Sequence, residues 1–439
     1  MVQYVHPAEA LSEFLDGQPE LKAVTVAYSG GLDSHVLLHL VAGLPELRPD
    51  ISLRAIHINH GLQADSDGWA EHAQSVCDGL QIPLKVVDVD IDPNHTDGPE
   101  AAARLARYAA FAEHLMSGEH VLLAQHCDDQ AETFLLQALR GSGPDGLASI
   151  PKKRTFAEGF MSRPLLNCSR EQLEGYAEGQ SLQYIHDPSN DDTRFDRNYL
   201  RHEIMPRLKA RWPAATRTLA RSANRSSAAS QTLLGLAQED LKLVRLRGVP
   251  ELSVSEVKSL SRERAYNVLR LWVRQSGLRM PRLQDLAEVH KQLVMSRADS
   301  QGIVNVRDYE FRRHKDRLYL LPPQAEPCAF HHDWNAPFLP LYIPEIDQTL
   351  TREDCERQGI RLPAQGAMTV RSRVGSELIK LGEPAFHKAV KKLLQEASVP
   401  PWLRDVTPLI YIEGRLAAVW EIAVAVDFRQ GANNSSEVV

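Results

Sequence analysis

The sequence predicts an α/β protein: a parallel sheet with helices on both faces, followed by a mainly helical domain and a small α+β domain at the carboxyl end. Two observations carry that expectation. Through the first half, short runs rich in β-branched residues alternate with helix-periodic stretches. Such alternation gives parallel strands joined by crossover helices. From about Thr216 the pattern turns helical, and strand-like alternation returns near Met368.

Each element has a local reason. Val24–Tyr28, Leu53–Asn59, Leu84–Asp90 and Val121–Gln125 read as buried strands, being short, apolar and closed by loop residues. Ser34–Val41, Trp69–Leu80 and Glu100–Met116 read as the helices between them, with Gly118 as a stop signal. Tyr266–Gln275 and Leu283–Leu293 have helical spacing, and Asn305–Leu321 suits a closing hairpin. Pro322–Pro340 is proline-rich and aperiodic, as linkers are. Met368–Arg373 alternates as a strand and His387–Ala397 is helical. Leu409–Ile412 and Leu416–Val426 flank Glu413-Gly414-Arg415 as a hairpin would. The tail after Gln430 is expected to be disordered. The expected division is residues 1–215, 216–322, a linker at 323–360, and 361–430.

At 439 residues the chain exceeds one ordinary core. Its 43 % hydrophobic and 24 % charged content is that of a soluble globular protein. No apolar run approaches the roughly 18 residues that span a bilayer, and the acidic start, with Glu9, Glu13 and Asp16, is no signal peptide. Five scattered cysteines without a Cys-x-x-Cys pair exclude a disulfide framework, a zinc ribbon and a paired-thiol redox centre. A cytoplasmic protein without a membrane partner is expected. The net charge of -7 argues against a polyanionic partner, but its distribution does not. Arg194, Arg197, Arg201, Arg207, Lys209, Arg211, Arg217, Arg221 and Arg225 are opposed locally only by Asp196 and Glu203. Charges beyond about 10 Å are largely screened, so a basic face on an acidic protein can still attract nucleic acid.

The chemistry centres on Ser29-Gly30-Gly31-Leu32-Asp33-Ser34, between the first strand and the first helix. Two glycines let the backbone turn tightly against an anion, Ser29 and Ser34 offer hydroxyls, and the helix start supplies free N–H groups. No Gly-Lys-Ser/Thr follows, so this is not a Walker A loop. Gly141-Ser142-Gly143-Pro144-Asp145-Gly146 matches a dinucleotide fingerprint only formally, since it follows a helix and carries a proline; a flexible loop is expected. His57 and His60 end the second strand and suit hydrogen bonds near a substrate better than zinc. Asp128 and Glu132, four apart on one helix face, suit magnesium. Arg104 and Tyr108 share a face of the Glu100 helix, within reach of a polyanion.

Ser29–Ser34 resembles the SGGxDS signature of the PP-loop, or N-type, ATP pyrophosphatases, and so implies ATP as substrate. With His57–Gly61, Glu100–Tyr108, His126–Thr133, Arg140–Leu147 and Asp187–Arg201, the chain resembles the tRNA(Ile)-lysidine synthase family. Arg371–Glu377 and Pro400–Arg404 extend the likeness to the carboxyl end, with Ser376 in place of a glycine. The resemblance implies a PP-loop fold, ATP with magnesium, L-lysine, and an isoleucine tRNA with a CAU anticodon. It implies catalytic roles for Asp33, Asp128 and Arg201, with Asp128 and Glu132 as magnesium ligands. His57, His60, Arg104, Tyr108, Glu132, Arg197, Lys388 and Lys391 would meet the substrates or the tRNA. Tyr199 or Phe195 would offer the splayed base a stacking surface, but core packing is the favoured expectation for both. Two other readings compete: a tRNA thiolase of the same superfamily, and an ATP- and RNA-binding protein without turnover.

Overall fold

The computed structural model describes residues 5–61, 66–91, 98–297, 302–322, 328–363, 367–382 and 386–430. The chain forms two compact units, Met1–Leu236 and Ala237–Val439.

The first unit opens with α1 (Pro7–Asp16), β1 (Ala23–Ala27), α2 (Leu32–Ala42) and α3 (Leu44–Leu47). It continues with β2 (Ser52–Asn59), α4 (Ser66–Gly79), β3 (Leu84–Asp88), α5 (Pro99–His114), β4 (His120–Leu122) and α6 (Cys127–Leu139). After α7 (Pro144–Leu147) come β5 (Lys153–Phe156), β6 (Gly159–Ser162) and α8 (Arg170–Gly179). The sheet order is β3-β2-β1-β4-β6-β5. β1 pairs in parallel with both β2 and β4, and β4 with β6, while β5 joins the edge antiparallel. Val24 and Val26 pack with Val36, Leu37, Leu38 and Val41 of α2 on one face. Ile56, Phe111, Leu115, Val121 and Met161 form a second core on the other. Each fully buried leucine side chain is worth about 1.5–3 kcal/mol over exposure, so Leu37→Ala in this core would break more than any surface change.

The strand order places the functional loops. The chain winds from β1 through β2 to β3, then returns to lay β4 on the other side of β1. At that reversal the loops after β1 and β4 diverge and leave a crevice, where open α/β sheets bind ligands. The segment behind β6 closes over it: α9 (Asp196–Tyr199) passes through a π-helical turn, Leu200–Ile204, into α10 (Met205–Arg211), and α11 (Ala215–Val244) follows.

The second unit has β7 (Leu252–Ser253), α12 (Val254–Ser259), α13 (Arg262–Gln275) and α14 (Leu283–Val289). The hairpin expected at Asn305–Leu321 belongs to a four-stranded antiparallel sheet of β7, β10 (Arg317–Leu321), β9 (Tyr309–His314) and β8 (Ile303–Val306). Trp272 of α13 packs 5.9 Å from the Phe311 ring. The stretch expected as a linker at 323–360 is structured where described. It holds β11 (His331–Asp333), β12 (Leu341–Ile343), β13 (Gln348–Leu350) and α15 (Arg352–Arg357), and buries Phe330, Trp334, Phe338, Ile343, Leu350, Cys355 and Ile360. Its strands have three residues each, too few to show periodicity, and β11 finds its partner far along the chain. Residues 323–327 lie outside the described residues.

Beyond it are β14 (Met368–Arg371), β15 (Leu378–Gly382), β16 (Phe386–Ala389), α16 (Val390–Glu396) and α17 (Pro401–Arg404). β17 (Leu409–Ile412), β18 (Arg415–Val419) and β19 (Ala423–Val424) complete a sheet of order β11-β14-β17-β18-β19. The helix expected from His387 starts only at Val390, because His387 and Lys388 pair with Lys380 and Ile379 across the β15–β16 hairpin. The tail expected to be disordered falls on residues 431–439, outside the described residues.

Candidate active site

The Ser29–Ser34 loop is built as a backbone seat. Gly30 adopts φ +84, which side chains rarely tolerate, and a Cβ there would lie 2.9 Å from Ile185 Cδ1. Ile185 N–H donates to Gly30 O at 2.9 Å, so a distant segment holds the turn open. Gly31 caps α2 without a side-chain bond, leaving first-turn N–H groups at the positive end of the helix dipole. The two hydroxyls divide their work. Ser34 Oγ accepts from Ser29 N–H at 3.1 Å and donates to Gly31 O at 2.9 Å, so this buried serine braces the loop. Ser29 Oγ lies 3.0 Å from it on the exposed side.

His57 is buried behind the loop, and burial lowers its pKa. Its neutral ring donates from Nδ1 to Tyr28 O at 3.0 Å. Through Nδ1, His57 anchors the entry to the seat. His60 is half-buried, its pKa lowered by burial, Arg107 and His57.

A cluster of charges faces this loop from the start of α6. At the start of α6, His126 Nδ1 lies 3.3 Å from Asp128 N–H, a bond that only the neutral ring accepts, while Asp129 accepts from His126 N–H at 2.9 Å. Four carboxylates then meet cations from three other segments. Asp33 takes both oxygens to Arg170 Nη1, at 3.0 and 2.9 Å. Asp128 accepts from Lys209 Nζ at 2.7 Å and from Arg170 N–H at 3.0 Å. Asp129 meets Arg197 at 2.9 Å and Arg201 at 3.2 Å. Glu132 takes the same two guanidiniums, Arg197 at 3.0 Å and Arg201 at 2.8 Å. Burial opposes the ionisation of Asp129, yet His126, Arg197 and Arg201 hold it down at about 2. Burial likewise opposes charge on His126, and Asp129, Asp33 and Asp128 overcome it, raising the pKa to about 9. Four permanent cations balance four carboxylates, and a protonated His126 adds a positive charge. The cluster can hold an anion.

The sequence placed Asp33, Asp128, Glu132, Arg197 and Arg201 here together. The expectation that Asp128 and Glu132 hold magnesium does not fit. Lys209 and Arg170 engage the first, and Arg197 and Arg201 the second, so neither offers an open oxygen face to a dication. Among the described residues no three His, Cys, Asp or Glu converge on a metal-sized space. Sequence reasoning missed Arg170, Lys209 and the central place of Asp129 and His126. An acid-rich helix start does require counterions, but which basic residues supply them depends on the path of the chain after β6.

Arg104 and Tyr108 share a face as expected, the guanidinium lying 4.8 Å from the ring centroid. Arg154 lies over the same ring at 5.2 Å, and buried Arg163, its pKa lowered to about 10 by burial, also meets Tyr108. Tyr199 is 49 % exposed, so the expected core packing fails for it; Phe195 is half-buried. Gly143 starts α7 and Ser142 Oγ donates to Gln137 at 2.6 Å, so the expected flexible loop is a braced turn. In the second unit, Lys388 lies on β16 and is paired with Glu396, whereas Lys391 and Lys392 are exposed on α16. These lysines do not form one helix face. No described helix is long and apolar enough to cross a membrane.

Residues 4–208 match the PP-loop domain, which fits a glycine seat at the reversal point of a parallel sheet. Residues 252–319 match the TilS substrate binding domain and residues 368–439 the TilS substrate C-terminal domain. The tRNA(Ile)-lysidine synthase of Xanthomonas axonopodis pv. citri is 41 % identical over 421 residues, 94 % of this chain and 93 % of that protein. That of Alkalilimnicola ehrlichii is 41 % identical over 406 residues, 92 % and 90 % of the two chains. That of Serratia proteamaculans is 39 % identical over 409 residues, 91 % of each. The chain belongs to the tRNA(Ile)-lysidine synthase family.

Proposed function

We propose that this chain is a cytoplasmic carbon–nitrogen ligase. It joins free L-lysine to C2 of the wobble cytidine in an isoleucine tRNA with a CAU anticodon, consuming ATP. The observation that carries this reading is the meeting of the Gly30–Gly31 seat with the cluster of Asp33, Asp128, Asp129 and Glu132 at one sheet reversal.

The reaction has two displacements. The cytidine C2 oxygen attacks the α-phosphorus of ATP and pyrophosphate leaves; then the lysine ε-nitrogen attacks C2, and the C2–O bond breaks to release AMP. Departing pyrophosphate gains charge, and backbone N–H groups preset around Gly30, Gly31 and Leu32 stabilise it with little reorganisation. Arg201, with Arg197 beside it, steadies charge on the α-phosphate. Lysine's amine has a solution pKa near 10.4, so attack needs a nearby carboxylate to take its proton. Asp33, paired with Arg170, and Asp128, paired with Lys209, are the candidates. Arg104, Tyr108 and His60 are assigned to tRNA, and Lys391 to a second contact with the tRNA body. ATP phosphates in such sites are usually accompanied by magnesium, but no step is assigned to a metal on Asp128 and Glu132.

A thiolase would need a reactive thiol near the nucleotide. Cys127 N–H donates to Cys168 O at 2.8 Å, so the two cysteines are neighbours, but burial raises both thiols to about 12. That disfavours the thiolate.

The test combines the chain with magnesium, ATP, labelled lysine and an isoleucine tRNA transcript bearing CAU. Lysine-dependent labelling is expected, absent with a methionine tRNA of the same anticodon. Equal label in both would refute the specificity. Asp33→Ala is expected to lower pyrophosphate release at least about a hundredfold; ATP bound without turnover by the unaltered chain would leave only a binding module.

A further inference from the structure

The turn between α10 and α11 carries an exposed indole, and residues on either side of it reach the charged cluster. Trp212 is 58 % exposed, whereas the other five tryptophans are buried or half-buried. Its main chain is held at both ends: its N–H donates to Leu208 O at 2.7 Å, and its carbonyl accepts from Ala215 N–H at 2.9 Å. Pro213 follows and stiffens the turn. The side chain therefore stands out from a fixed knuckle. The residues bracketing it reach one oxygen of the cluster, Lys209 Nζ donating to Asp128 Oδ1 at 2.7 Å and the Thr216 hydroxyl at 3.5 Å. Trp212 is thus tethered on either side to the carboxylate proposed to act on the substrate. The Arg211 guanidinium sits 5.6 Å from the indole centroid, and Arg207 is exposed on the same helix.

We propose that Trp212 is a stacking platform for an unpaired base of the RNA loop that enters the site. This rests on the reading above, in which one base of an anticodon loop is modified, and adds a contact that reading lacks. Chemistry at C2 requires the target base to leave its stack. Its former neighbour then loses a stacking surface, and an indole held beside the reacting groups restores one. Phosphate contacts alone would need only arginine and lysine. An exposed tryptophan amid them is the combination that binds single-stranded bases, in any sequence, because every base has a π-face.

The full-length chain is tested with an RNA stem-loop whose loop contains CAU, and with duplex RNA of equal length. Loop RNA is expected to quench a component of the tryptophan emission that is missing in Trp212→Phe. Trp212→Ala should weaken loop binding about tenfold, while Phe, which still stacks, restores most of it. Duplex binding and the melting temperature should be unchanged in both, and the KM for tRNA should rise in the alanine variant without change in the KM for ATP. Undiminished loop binding by Trp212→Ala, an equal loss on duplex RNA, or a quench that persists in Trp212→Phe would overturn the proposal. An unaltered chain that quenches with loop RNA yet incorporates no lysine would sink the proposed reaction and leave this contact standing.

Discussion

Glu132 in the first unit and Asp427 in the second each face two cations, but only one of them does so out of water. The Glu132 side chain is 2 % exposed between Arg197 and Arg201, while Asp427 is 23 % exposed between Lys380 and Arg415, the latter 64 % exposed. Removing charges from water costs several kcal/mol per ion, and well-packed apolar residues usually stabilise as well or better. A fold that keeps four carboxylates and three of their four cations at least half-buried at one sheet reversal therefore bears a cost that stability does not explain. The carboxyl-terminal sheet shows the ordinary alternative. Around the sheet of β11, β14, β17, β18 and β19, Phe330, Trp334, Ile343, Met368, Val370 and Ile410 supply an apolar core, and the Asp427 pairs stay near the solvent. The contrast marks the first cluster as machinery.

The contrast breaks first at Glu132. Glu132→Ala leaves two guanidiniums sharing Asp129, and should destabilise the chain by about 3 kcal/mol, seen as a lower urea midpoint; Glu132→Gln should recover part of it. An unchanged midpoint would mean that the cluster is wetter than its geometry indicates.

His126 sharpens it through pH. Its folded pKa, near 9, lies above the unfolded value of about 6.5. Its contribution is therefore complete below about pH 6.5 and is lost as pH rises through 9. Melting temperature should fall across that window. In His126→Asn, which can still cap α6, the fall should be shallower; parallel curves would place the titrating group elsewhere.

The smallest effect is expected at Asp427. Asp427→Asn should change stability by less than about 1 kcal/mol, because partly exposed pairs contribute little. A loss matching that of Glu132→Ala would erase the distinction between the two sites.

Much of this was legible without coordinates. Val24–Tyr28 and Ser34–Val41 announce themselves because β-branched and helix-periodic runs act locally, and the glycines between them have few uses other than a tight turn. Asp33, Asp128, Glu132, Arg197 and Arg201 could be picked as charged residues at strand ends and in a basic segment. Their pairing could not. Arg170 lies 137 positions from Asp33, and Lys209 lies 81 from Asp128. Nothing in the spacing of such residues reports who neutralises whom, so carboxylates that read as magnesium ligands are engaged by arginine and lysine. The three-residue strands after Phe330 were illegible for a related reason, since each is too short to have a period, and β11 exists only by pairing with the distant β14. Local propensity and turn chemistry lie within a few residues and are written in the chain. Counterions, burial and the exposed face of Trp212 depend on where remote segments come to rest, and only the folded packing decides them.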